Sequence, residues 1–167
     1  LEAFGIPVNN DQWDGYPQER EDLFNYISNN NIDNVVVLTG DIHTSWANDL
    51  PHTGYDDGNN TGAVGVEFVT PSVTSPGFPI GVGAGLIQTF NDHIQYTDLT
   101  EHGYIVLDIT HQKCQADWFF VDDIESTTFT ESYATGYYST DGQPYLVQAP
   151  NEQAAFENLR PLVHFDE

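Results

Sequence analysis

Apolar and polar positions change their spacing twice along the chain. From Pro17 to Asn29 the apolar residues Leu23, Phe24 and Ile27 recur one and four positions apart, which predicts a helix with one apolar stripe. Pro17 suits its first turn, where a missing N–H is harmless, and Glu19, Glu21 and Asp22 lie near the positive end of its dipole. Asn29-Asn30-Asn31 should end it, because asparagine tolerates left-handed backbone angles. Val35-Val36-Val37-Leu38 is an unbroken apolar run, the pattern of a strand covered on both faces in a parallel sheet. Residues 47–62, rich in Asn, Asp, Gly and His, read as a long polar loop. Ala63–Val69 predict another strand, and residues 84–92 a short helix. Between them, residues 71–85 concentrate Pro, Gly, Ser and Thr, and a connection of roughly 15 residues without its own structure is usually functional.

From about Gly103 the period shortens to that of strands. Tyr104–Ile109, Gln115–Val121, Thr127–Tyr138 and Tyr145–Gln148 are β-rich runs separated by turn residues, with Asp141-Gly142 as a hairpin turn. Glu152–Leu159 predict a last short helix. No repeat and no linker divides the 167 residues, so the pattern describes one α/β unit running into antiparallel strands.

Charge narrows the functional classes. There are 26 acidic and 3 basic side chains, a formal net charge of −23. Arg20, Lys113 and Arg160 are far apart, so no basic patch can displace counterions from nucleic-acid phosphates or hold an anionic membrane. Charged residues make up only 17%, below the usual ~25%, so the imbalance reflects missing Lys and Arg more than added acid. No apolar run is long enough to span a bilayer. The single Cys114 allows no internal disulfide, and its parity with Ala116, Trp118 and Phe120 predicts a core thiol. There is no Met, so Leu1 is expected to follow a processing site or to open a piece of a longer chain.

Candidate chemistry gathers after the Val35–Leu38 strand, in Thr39-Gly40-Asp41-Ile42-His43-Thr44-Ser45-Trp46. Ligands bind beyond the carboxyl ends of strands in α/β sheets. Asp41 and His43 stand two positions apart, so in extended backbone they would point the same way and could hold a metal. The plainer alternative makes Asp41 a turn cap and His43 a polar loop residue. Asp14 suits a metal ligand, an acceptor orienting a ligating His, or a helix cap. Trp46 reads as a core or wall residue. Glu67 shares a face with Ala63, Gly65 and Val69, so it is either paired in a buried setting or turned to solvent. His52, His111 and His164 read as solvated, and His102 as the end of a loop.

Five segments in order resemble one family: Trp13–Pro17, Val35–Asn48, Val66–Pro76, Tyr96–Tyr104 and Gln115–Val121. Together they are similar to the C-terminal part of PhoD-like alkaline phosphatases/phosphodiesterases, a branch of the calcineurin-like metallophosphatases. The resemblance implies a β-sandwich flanked by helices, with residues 1–167 as the C-terminal portion of a single metallophosphatase domain. It implies a phosphate ester substrate, a cluster of Fe(III) with Ca2+, and a secreted, periplasmic or cell-surface location. Asp41 and His43 match the family's ligand segment and become the expected catalytic metal ligands, with Asp14, Trp46, Asn48 and Glu67 around them. The remaining ligands belong to an N-terminal half or a partner chain, so this chain alone is expected to be inactive. The competing expectation is a non-catalytic calcium-binding or surface-interaction module, with the acid-rich 47–62 segment as its ion site.

Overall fold

The computed structural model describes residues 2–3, 6–7, 11–77 and 84–152. The elements in chain order are β1 (Glu2–Ala3), β2 (Ile6–Pro7), a one-turn 3-10 helix (Trp13–Gly15), α1 (Pro17–Asn29), β3 (Val36–Thr39) and β4 (Ser45–Asp56). A second 3-10 turn (Asp57–Asn59) leads to β5 (Thr61–Val69). There follow α2 (Ala84–Phe90), β6 (Ile94–Asp98), β7 (His102–Ile109), β8 (Lys113–Val121), β9 (Glu131–Thr140) and β10 (Val147–Gln148).

β1 and β2 pair as a small antiparallel ribbon. The other strands form two four-stranded sheets. One is mixed, in the order β3-β5-β4-β6, and the other antiparallel, in the order β10-β9-β8-β7. Among the described strands only β3 and β5 pair in parallel. The sheets face each other, and Ala47, Val66 and Phe68 of the mixed sheet meet Ala116, Trp118 and Tyr137 of the antiparallel one. Trp118 is fully buried at the centre, 5.9 Å from the ring of Phe68 and 5.5 Å from Tyr96, centroid to centroid. Its indole N–H donates to the Val69 carbonyl at 3.2 Å, so the polar edge of this large ring is satisfied across the core. Cys114 packs against the same cluster, and burial raises its thiol pKa.

The outer face of the mixed sheet carries a second apolar cluster, Trp46, Val69, Ile94 and Leu99, with Ile42 and Ile87 packed on it. α1 buries Phe24 and Ile27, while Leu23 is exposed, so the stripe is narrower than the spacing suggested. Its end is as expected. Asn31 takes φ 50°, its N–H donates to the Ser28 carbonyl, and the Ile32 N–H donates to Ile27, the paired bonds of a Schellman ending.

Two expectations fail. Residues 47–62 are not a loop; β4 continues to Asp56 and turns tightly into β5. The strand escaped notice because its inner positions are Ser45, Ala47 and Asp49, buried but small or polar, so no apolar alternation marks it. Pro51 falls at a register shift against β5, where a proline is tolerated. β3 is also not covered on both sides, since it lies at a sheet edge with Val37 and Leu38 exposed. The turn at Asp141-Gly142 forms, with Gly142 at φ 71°. The predicted 152–159 helix falls almost wholly outside the described residues, as does His164.

Candidate functional site

Alternation along β5 turns Val66 and Phe68 into the core and leaves Glu67 on the outer face with Val69. Register sets Asn48 of β4 opposite Glu67, and Trp46 opposite Val69. Thr39, ending β3, reaches the same carboxylate. Its hydroxyl donates to Glu67 Oε1 at 2.6 Å, and Asn48 Nδ2 donates to Oε2 at 2.9 Å. Glu67 is therefore paired, but by neutral donors only. These bonds commit the Asn48 amide nitrogen and leave its Oδ1 buried without a donor among the described residues. A buried acceptor in that position costs on the order of 1–3 kcal/mol unless something fills it.

These groups line a cleft of about 640 Å³ between the outer face of the mixed sheet and α1. Asp14, Asp41, Trp46, Asn48 and Glu67, five of the six residues singled out in the sequence, are on its wall; His43 is not. Asp14 does not cap α1, whose N-cap is Tyr16 without a side-chain bond. Instead it accepts from Arg20 Nη1, in an ion pair at the cleft wall. Trp46 is a buried wall residue whose indole donates to Thr44 Oγ1 at 2.6 Å.

The Gly40–Thr44 turn departs from the extended backbone assumed for it. Asp41 has φ 73° and His43 φ 62°, and the Ile42 N–H closes back onto the Gly40 carbonyl at 2.9 Å. Two non-glycine residues in the left-handed region cost on the order of 1–3 kcal/mol each, and such strain clusters at functional sites. Asp and His are among the side chains that tolerate it best. The Pro loop that follows β5 meets this turn. His43 Nδ1 donates to the Pro76 carbonyl at 3.1 Å, and His102 Nε2 donates to the neighbouring Ser75 carbonyl at 3.0 Å. With Nδ1 as donor, neutral His43 keeps its lone pair on Nε2, the arrangement of ligating imidazoles.

Sequence reasoning missed several cleft residues. His93 lies on its wall, and burial lowers its pKa to about 4, so it is neutral at pH 7. Asn91 and Asp92 beside it, and Tyr55 from the far end of β4, also line the cleft. The Asn-Asp-His run at 91–93 gives no spacing signal, and Tyr55 lay in the presumed loop. His52 is not solvated; it stacks edge-on against Phe24 and lies 3.5 Å from Glu21. The acid-rich 47–62 segment spends Asp56 on capping its own turn through the Asn59 N–H. Among the described residues no group of three or more His, Cys, Asp or Glu side chains could hold a metal ion.

The donor types at the cleft nonetheless suit part of a metal centre: carboxylate and amide oxygens for a hard cation, and a nearby imidazole for a transition metal. Two or three donors do not complete one. Among the described residues Arg20 is the one Lys or Arg on a wall that carries Asp14, Asp41, Glu67 and Asp92. An anionic ester would be repelled there without added cations.

Two facing four-stranded sheets, with a carboxylate-rich cleft against the outer face of the mixed one, make a mixed α/β sandwich. Residues 2–118 match the model of the PhoD-like phosphatase family, and the chain belongs to that family. It is 40% identical over 110 residues to alkaline phosphatase D of Bacillus subtilis (strain 168), covering 65% of this chain and 18% of that protein. The solved structure of PhoD superposes with a TM-score of 0.72 at 32% identity, over 86% of this chain and 27% of that one. The chain thus spans about a fifth to a quarter of the relatives it matches.

Proposed function

We propose that residues 1–167 are the C-terminal portion of a single metallophosphatase domain that hydrolyses phosphoric esters outside the cytoplasm. In this reading Asp41 and His43 supply part of a centre for Fe(III) and Ca2+, and the other ligands come from the rest of the polypeptide. The observation that carries it is the convergence of Asp14, Asp41, Trp46, Asn48 and Glu67 on one cleft where, among the described residues, Arg20 is the one Lys or Arg.

Bound metal would supply the positive charge that polarises a phosphoryl oxygen. The chain's own residues do the rest. Thr39 and Asn48 fix the Glu67 carboxylate, and that leaves the Asn48 oxygen open to a cation or a donor. The Pro76 carbonyl sets the imidazole tautomer of His43. Asp14 holds the Arg20 guanidinium on the wall, where it can meet an ester oxygen. Trp46 walls the cleft and limits water. Alone, the chain holds too few ligands for turnover.

His43→Ala in the complete protein tests the assignment. Iron content by elemental analysis should fall by more than half, with loss of turnover of a chromogenic phosphodiester. Retained iron with near-normal turnover would discard it. Calcium without iron in the native protein would favour the calcium-binding module instead.

A further inference from the structure

Among the described residues, His43, His52, His93 and His102 are half-buried. Three of them donate from a ring nitrogen: His43 to the Pro76 carbonyl at 3.1 Å, His52 to Asn25 Oδ1 at 3.3 Å and His102 to the Ser75 carbonyl at 3.0 Å. The His93 ring, on the cleft wall, has no hydrogen-bond partner among the described residues. Nor is either of its nitrogens sealed away, as Ser45 Oγ, Asn48 Oδ1 and Thr97 Oγ1 are. Both are therefore open to the cleft.

The main chain under this ring is pinned on both sides. The His93 carbonyl accepts from the Asp49 N–H of β4 at 2.9 Å, and the Ile94 N–H closes the turn onto the Asn91 carbonyl at 2.9 Å. Asn91 Nδ2 donates to the Ile87 carbonyl of α2 at 2.9 Å, and Asn91 and Ile94 are both buried. A rigid backbone of this kind holds a contacting side chain in a fixed place. Burial, above all, lowers the His93 pKa to about 4; the Arg20 guanidinium acts in the same direction, and the Asp14 and Asp92 carboxylates act against it. At pH 7 the ring is thus neutral, with one N–H and one lone pair. Arg20 stands on the same wall, and its bond to Asp14 uses Nη1 alone, so further N–H donors of the guanidinium remain.

We propose that His93 is a substrate-contacting residue whose imidazole N–H, together with the Arg20 guanidinium, grips the anionic oxygens of a phosphate ester in this cleft. A neutral donor beside a charged one suits that task. It adds a charge-assisted bond to an anionic oxygen without a second cation to desolvate. The inference rests on the reading of this chain as part of a phosphatase, and it names a contact outside the Asp41–His43 turn.

The test uses the complete protein, with inorganic phosphate binding by calorimetry and turnover of a chromogenic phosphodiester read on the same sample. His93→Phe keeps the bulk of the ring and removes its nitrogens. It should weaken phosphate binding by about 10-fold and raise KM more than it lowers kcat, with iron content and melting temperature as in wild type. His93→Asn and His93→Gln each keep an N–H near one ring nitrogen, and one of the two should bind phosphate within about 3-fold of wild type. Unchanged binding and KM in His93→Phe, or an equal loss in all three variants, overturns the inference. A measurement on unmodified protein covers variants that fail to fold. Carbethoxylation of His93 by diethyl pyrocarbonate, read by peptide mass spectrometry, should slow when phosphate is present; a rate that phosphate leaves unchanged, or a peptide that never reacts, also overturns it. Phosphate binding through His93 in a wild-type protein without iron or turnover leaves this inference standing and removes the functional reading. Wild-type iron and turnover, with KM unchanged in His93→Phe, do the reverse.

Discussion

Replacing Asp49 by Asn should change how stability depends on pH. The Asp49 carboxylate is 1% exposed between the two sheets. It accepts from the Leu146 N–H at 2.9 Å, the Tyr55 hydroxyl at 2.9 Å and Gln95 Nε2 at 3.3 Å. Burial raises its pKa more than these bonds lower it, and nearby Asp57 adds to the rise, from 3.8 to about 6. That shift corresponds to about 3 kcal/mol. The folded state holds this proton more tightly than the unfolded chain does. Stability from this group is thus highest below about pH 3.8, is lost as pH rises towards 6, and stays lost above. Asn cannot titrate, and the other carboxylates cancel when Asp49→Asn and wild type are compared at each pH. The lost acceptor moves the whole difference curve without changing its slope. The unfolding free energy of Asp49→Asn minus wild type, from urea midpoints, should grow by about 2 kcal/mol between pH 4 and pH 6.5 and then level off. A flat difference, or one that shrinks with rising pH, would refute the reasoning.

Trp118→Ala should destabilise by roughly 3–5 kcal/mol, since it empties the centre of the core and leaves the Val69 carbonyl without its donor; a loss below about 1 kcal/mol in urea would contradict that packing. Gly103→Ala should cost roughly 3 kcal/mol or more, because the added Cβ would lie 1.9 Å from the Phe119 carbonyl oxygen of the paired strand. Circular dichroism melting reads that change, and an unchanged melt would mean that β7 and β8 can separate there. Arg20→Gln in the complete protein should raise KM for a phosphodiester more than it lowers kcat, and steady-state kinetics at low salt would show it; an unchanged KM removes Arg20 from substrate contact.

The sequence spoke plainly where one physical signal acted alone. Pro17 and Asn31 marked the ends of α1 because proline and asparagine act through their own backbone preferences. β7 and β8 were legible from their alternation. β4 was not, because Ser45 and Asp49 are buried through hydrogen-bonding and register rather than through hydrophobicity. β6 was missed because five residues between two histidines are too few to show a period. At the site, motif order found five residues of the cleft wall. The backbone of Asp41 and His43 was misjudged, since left-handed angles leave no trace in residue spacing. His93 and Tyr55 were invisible because only the folding of β4 beside α2 and β6 brings them to the same wall.

The imidazoles of His43 and His102 bond adjacent carbonyls of one proline-containing bend, the first from the Gly40–Thr44 turn and the second from the antiparallel sheet. His102 opens β7, so the bend works as a mechanical coupling between the strained turn and the far layer of the sandwich. The turn's geometry is in that sense held by the opposite layer as much as by its own residues.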